Sequence, residues 1–145
     1  MNRYKDWLEQ AEYDLEAAID SLKGEHYEWS CFQAQQAAEK SFKALLLFTN
    51  LETWGHGLIR LLKNWTDRLE KSDDAREMSQ EKYQDLFEKC QELDRHYIQP
   101  RYPSGFASGY PAMFYNKKIA EECIYNAKTI IGFVKEKISS LSPSK

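Results

Sequence analysis

Between Arg95 and Lys118 the chain carries four cations, Arg95, Arg101, Lys117 and Lys118, together with the rings of Tyr97, Tyr102, Phe106, Tyr110, Phe114 and Tyr115, and not one Asp or Glu. Cations interleaved with aromatic faces suit a nucleotide or single-stranded RNA, because phosphates seek the charge while bases stack on the rings. Pro100, Pro103, Gly105, Gly109 and Pro111 fall in the same window and stop it continuing as a helix, so these groups sit on a loop. A tyrosine-rich loop that packs on the core, or joins two protomers, has the same composition. The residues alone leave both readings open.

Within the loop, Arg101 is the first candidate for phosphate contact. Its backbone is restrained by Pro100 and Pro103, and a guanidinium can offer a bidentate fork. The alternative is a tie from Arg101 to a carboxylate such as Asp94. Tyr102 and Tyr97 can stack on a base or donate a hydroxyl to phosphate, although Tyr97 also continues the apolar stripe of the preceding helix and then reads as structural. His96 is the one histidine in the window. Neighbouring cations disfavour its protonation, which suits a general base with Arg95 or Arg101 as electrostatic partner, whereas a histidine at a helix end also reads as a surface residue. Gln35, Glu39 and Lys43 recur every fourth residue on one helical side. They predict either a solvated Glu39–Lys43 ion pair or a polar patch at a cleft or dimer seam able to meet a base edge. His56 reads as structural. Trp29, Trp54 and Trp65 exceed what a small core needs, so they mark either a partner surface or the ends of a bundle.

Helices must position these groups. No proline occurs between Met1 and Gln99, and apolar residues recur at three and four rather than two. The pattern predicts helices over about Asn2–Lys23, with Trp7 and Leu8 inward; Tyr27–Phe48, rich in alanine; His56–Glu70; a fourth from a Ser79 cap to the Pro100–Pro103 stop, burying Tyr83, Leu86, Phe87, Cys90, Leu93 and Tyr97; and Ala112–Ser139. Lys71 to Arg76 reads as a charged linker. Short links imply an all-α, five-helix antiparallel up-and-down bundle. The 145 residues form one domain, and residues 139–145 read as a disordered tail.

The formal charge of -3 argues against general DNA coating, which needs a broad positive face, so a polyanion would bind locally. Cys31, Cys90 and Cys123 are odd in number and far apart, which predicts free buried thiols with no metal site, disulfide framework or cofactor. The longest apolar run, Ala44 to Phe48, is too short for a membrane span, and the first residues lack a signal-peptide core, so the expected place is the cytoplasm.

Two segments resemble one family. Phe32-Gln33-Ala34-Gln35-Gln36-Ala37-Ala38-Glu39-Lys40-Ser41-Phe42-Lys43-Ala44-Leu45-Leu46 is similar to the second-helix signature of HEPN domains, and Leu93-Asp94-Arg95-His96-Tyr97-Ile98-Gln99-Pro100-Arg101-Tyr102-Pro103 resembles their Tyr-Ile-x-x-Arg-Tyr-Pro segment. Ala11 to Leu15 and His56-Gly57-Leu58 resemble further marks of the family. The resemblance implies a helical bundle that forms a homodimer and pairs with a minimal nucleotidyltransferase as toxin and antitoxin. Many members are metal-independent RNases marked by an Arg followed four to six residues later by His. Here Arg95 is followed directly by His96, no histidine comes after it, and no other Arg has one at that distance. Three functions stay open: a nucleotide- or RNA-binding partner of a nucleotidyltransferase, an RNase using His96 with Arg95 or Arg101, and an architectural adaptor.

Overall fold

A computed structural model describes residues 2–51, 53, 55–69 and 81–142. It is all-α, with five helices: α1 (Tyr4–Lys23), α2 (Tyr27–Phe48), α3 (Leu58–Leu69), α4 (Glu81–Asp94) and α5 (Lys117–Leu141). Two short 3₁₀ turns, Pro103–Gly105 and Pro111–Phe114, shape the loop between α4 and α5.

Helix α2 is the spine of the bundle. Ala34, Ala37, Ala38 and Ala44 are all fully buried, and their small side chains let α1 and α5 approach its backbone closely. Phe42, Leu45 and Leu46 fill the space further along, and Phe42 stacks on Phe133 of α5 with ring centroids 6.2 Å apart. Polar side chains seal the α1–α2 seam. Ser30 Oγ donates to the Ala18 carbonyl at 2.8 Å, and Lys40 pairs with Asp14 at 2.6 Å. At the opposite side Trp65 of α3 meets Tyr83 of α4 and Phe133 at 5.5 and 5.3 Å, locking three helices through one aromatic cluster. Trp65 is therefore core, while Trp29 is exposed and Trp54 lies outside the described residues.

Several boundaries differ from those expected. Fifth-helix periodicity begins at Ala112 in sequence, yet Pro111–Phe114 makes a 3₁₀ turn and the helix starts only at Lys117, where the Asn116 side chain accepts from Ile119 N at 2.9 Å. The same helix runs to Leu141, two residues past its expected end, and residues 143–145 lie outside the described set, as do the Ser79 cap and the linker from Lys71 to Arg76. Between α1 and α2 Glu25 takes the left-handed conformation (φ 65°). Trp7 is not inward: it is part-exposed, with the Lys43 ammonium 5.5 Å from its ring centre.

Helix α3 starts at Leu58, not His56, because its cap comes from elsewhere in the chain. Asp94, the last residue of α4, accepts from Leu58 N at 2.7 Å and Ile59 N at 3.0 Å, satisfying two orphan donors with a carboxylate set against the helix dipole. Asp94→Ala should cost about 0.5–2 kcal/mol of unfolding free energy. Urea denaturation measures this, and Asp94→Asn, which keeps an acceptor, should lose less.

Candidate functional site

Past α4 the chain folds into successive turns, with Tyr97 N bonded to the Asp94 carbonyl and Arg101 N to the Ile98 carbonyl. These turns bring Arg101 back over α2. Its Nε donates to the Tyr97 carbonyl at 2.9 Å, and its guanidinium carbon lies 4.5 Å from the Phe32 ring centre, 4.8 Å from Tyr97 and 5.2 Å from Tyr102. Each such contact at a part-buried position contributes on the order of 1 kcal/mol. Among the described residues, the Arg101 Nη groups make no hydrogen bond or ion pair. The tie to Asp94 does not form, since both oxygens of that carboxylate are occupied at the start of α3. Rings thus hold the guanidinium without neutralising it, and its free donors remain available to an anion.

Tyr97 is not a core residue of α4, because that helix stops at Asp94 and the tyrosine follows in the turns. It is half-buried and lies between two partners: Arg101, and the imidazole of His56, stacked at 5.5 Å with an interplanar angle of 21°. His56 Nδ1 is in turn 3.6 Å from Glu39 Oε1, and the same oxygen accepts from Gly57 N at 2.8 Å. Gly57 has φ 107°, which a side chain at this position would strain. Glu39 therefore anchors the segment that carries His56 under Tyr97.

Gln35, Glu39 and Lys43 do not form one patch. The close approach of neighbours on both sides of α2 buries Gln35 and Glu39, whereas Lys43 turns toward Trp7 of α1, so the Glu39–Lys43 ion pair is not made. Gln35 accepts from Gln36 Nε2 at 2.8 Å, and its own Nε2 has no partner among the described residues. Phe32 is the contributor that residue-by-residue reading of the sequence missed, whereas His56 has the structural place that was expected of it. Phe32 was legible as lying one and two turns before Gln36 and Glu39, but only the fold sets it against a loop residue 69 positions on.

Arg95 and His96 have separate partners. Arg95 Nη1 reaches Glu92 at 3.5 Å on the exposed side of α4, while His96 Nδ1 is 2.8 Å from the buried Tyr115 hydroxyl. His96 also meets Cys31 and Cys123: one ligand-type atom from each of the three residues lies within 4.8 Å of the others. A hydrogen bond with Cys31 and the nearby His96 draw the Cys123 thiol down to about 6, against the opposing effect of burial. The same hydrogen bond, with burial, pushes Cys31 up. Burial, then these two thiols and Glu28, raise Tyr115. Cys90 stands apart, and burial, then Asp94, raise it.

Lys117 and Lys118 are exposed at the start of α5. Lys118 borders a groove of about 450 Å³ shared with Glu92, Glu121, Glu122, Tyr125 and Asn126. Those carboxylates disfavour an anion there. The remaining loop rings are turned outward: Tyr102, Tyr110 and Phe114 are roughly half exposed, and Phe114 stacks flat on Phe106 at 4.4 Å.

A family profile for the HEPN domain matches residues 4–137. The chain belongs to the HEPN family. Among solved HEPN-like structures, TT1696 from Thermus thermophilus is 39% identical and superposes with a TM-score of 0.82 over 94% of this chain and 99% of that one. ST0689, an archaeal HEPN homologue, is 36% identical with a TM-score of 0.74, over 95% and 99%. The HEPN domain protein tm0613 from Thermotoga maritima is 28% identical with a TM-score of 0.69, over 94% and 99%. The chain is also 31% identical to "Putative toxin MJ1304" of Methanocaldococcus jannaschii, over 90% of this chain and 84% of that protein. In this HEPN chain the Arg-Tyr-Pro segment is the part that forms the ring-bound guanidinium, and the second-helix signature supplies Phe32 beneath it and Glu39 behind it.

Proposed function

We infer that this HEPN protein is a toxin-like component that binds nucleotide or single-stranded RNA at Arg101 and pairs with a minimal nucleotidyltransferase. The observation that carries the reading is the guanidinium of Arg101, bracketed by Phe32, Tyr97 and Tyr102, with its Nη donors uncommitted among the described residues. Phosphate binds at those donors and an adjoining base stacks on Tyr102, which is half exposed; Tyr97 holds Arg101 in place from below. Lys117 acts at longer range, and Lys118 is a weaker contributor because of its acidic neighbours. The relative named as a toxin supports the toxin-like part. The nucleotidyltransferase partner and the homodimer follow from the HEPN resemblance, and a cytoplasmic setting completes the reading. The exposed Trp29, Tyr110 and Phe114 are suited to meeting a second protein chain. No helix among the described residues is long and apolar enough to cross a membrane.

Titrating a short labelled RNA into the purified protein and following its anisotropy tests the binding. One or two neutralised phosphates predict a shallow salt dependence, with log affinity falling by about 0.7–1.4 per tenfold rise in salt. Absence of saturable binding of RNA or mononucleotide at low salt removes the reading. Mass in solution, measured with and without a co-expressed minimal nucleotidyltransferase, tests the pairing, and an unchanged mass counts against it.

A further inference from the structure

Cys31 lies on α2, Cys123 on α5 and His96 in the turn that leaves α4, three segments far apart in sequence. Their sulfur and ring-nitrogen atoms nevertheless lie within 4.8 Å of one another. A tetrahedral zinc ion with ordinary Zn–S and Zn–N bonds holds its ligand atoms roughly 3.3–3.8 Å apart, so the set needs only about an ångström of contraction. Both thiols are buried, and His96 is the half-buried member. One further group has a position that such a centre uses. The Tyr115 hydroxyl, 2.8 Å from His96 Nδ1, fixes the ring as an outer hydrogen-bond partner does for a metal-bound histidine.

We propose that Cys31, Cys123 and His96 bind one zinc ion that staples α2, α5 and the root of the aromatic loop together. Two thiols and an imidazole select a borderline-soft ion such as zinc over magnesium or calcium, which prefer oxygen ligands. On binding, both sulfurs coordinate as thiolates, and the proton still held between Cys31 and Cys123 passes to solvent. His96 coordinates in its neutral form, and the fourth position goes to water. The ion fixes the loop at both ends: His96 begins it, and Tyr115, bonded to His96, closes it. None of the three ligands is among the rings that hold Arg101, so metal uptake and RNA binding are read by different substitutions.

The test is cobalt(II) titration of freshly reduced, chelator-treated full-length protein, read by thiolate-to-metal charge transfer in the near ultraviolet and by visible d–d bands. The expected result is one equivalent of cobalt, displaced by zinc. Cys31→Ser, Cys123→Ser and His96→Ala should each weaken uptake by roughly a hundredfold or more, and Tyr115→Phe by about tenfold through loss of ring orientation. Cys90→Ser, a buried thiol outside the cluster, should bind as wild type does. Zinc should raise the melting temperature of wild type and Cys90→Ser but not of Cys31→Ser. Reduced wild-type protein that shows no charge-transfer band overturns the proposal, even if a variant fails to fold. So does uptake that survives in the Cys31→Ser, Cys123→Ser double variant. A Cys31–Cys123 disulfide that forms after reduction and is not prevented by excess zinc would also overturn it, assigning the pair to redox chemistry.

Discussion

Arg101→Ala is expected to lower affinity for a short single-stranded RNA by roughly ten- to hundredfold, because hydrogen bonds from a charged donor to phosphate contribute about 1.5–3 kcal/mol. Helicity should be retained. The guanidinium contributes to stability through the faces of Phe32, Tyr97 and Tyr102 and one bond to the Tyr97 carbonyl, none of which belongs to the buried core. Arg101→Lys should recover part of the affinity at most. An ammonium keeps the charge but lacks the planar fork and rests less well on rings. Anisotropy titrations of the three proteins, with circular dichroism as the folding control, decide the matter. Equal affinity of wild type and Arg101→Ala would remove the loop from phosphate recognition and leave its rings as protein-contact surface.

The largest effect on stability is expected at Phe42. This side chain is fully buried on the helix that α1, α3 and α5 all touch, and it stacks on Phe133, which continues the aromatic contact to Trp65 and Tyr83. Phe42→Ala should cost about 3–5 kcal/mol, combining lost transfer energy with the cavity left beside Phe133. Chemical denaturation would show this as a lower midpoint at unchanged slope. A loss below about 1 kcal/mol would mean that the spine repacks and is not the rigid centre of the bundle.

The elements were largely legible from sequence, and the reasons differ from one to another. Helix α2 could be read because a proline-free run with alanine at helical spacing has few other solutions, and Asn50 ends it in the left-handed conformation that its short polar side chain tolerates (φ 58°). The start of α5 could not be read. Ala112 to Phe114 fits helical spacing, but Pro111 and the Asn116 cap divide that stretch into a 3₁₀ turn and a later helix. The start of α3 was hidden for a different reason. Its cap, Asp94, is 36 residues downstream of Leu58, a distance at which no local signal operates.

The candidate site divides along the same line. Residue types alone placed a phosphate-seeking arginine among aromatic rings on a proline-bounded loop, because composition and backbone restraint are local properties. Tertiary structure decided which rings surround it, that Asp94 is spent on a helix cap, that Lys118 faces carboxylates, and that Gln35 and Glu39 are covered while Lys43 is not. It also gathered Cys31, His96 and Cys123, which look unrelated along the chain. Helical periodicity reports which side of a segment is apolar. Which polar groups meet across segments depends on how the helices rotate and cross, and that is settled only when the whole core packs.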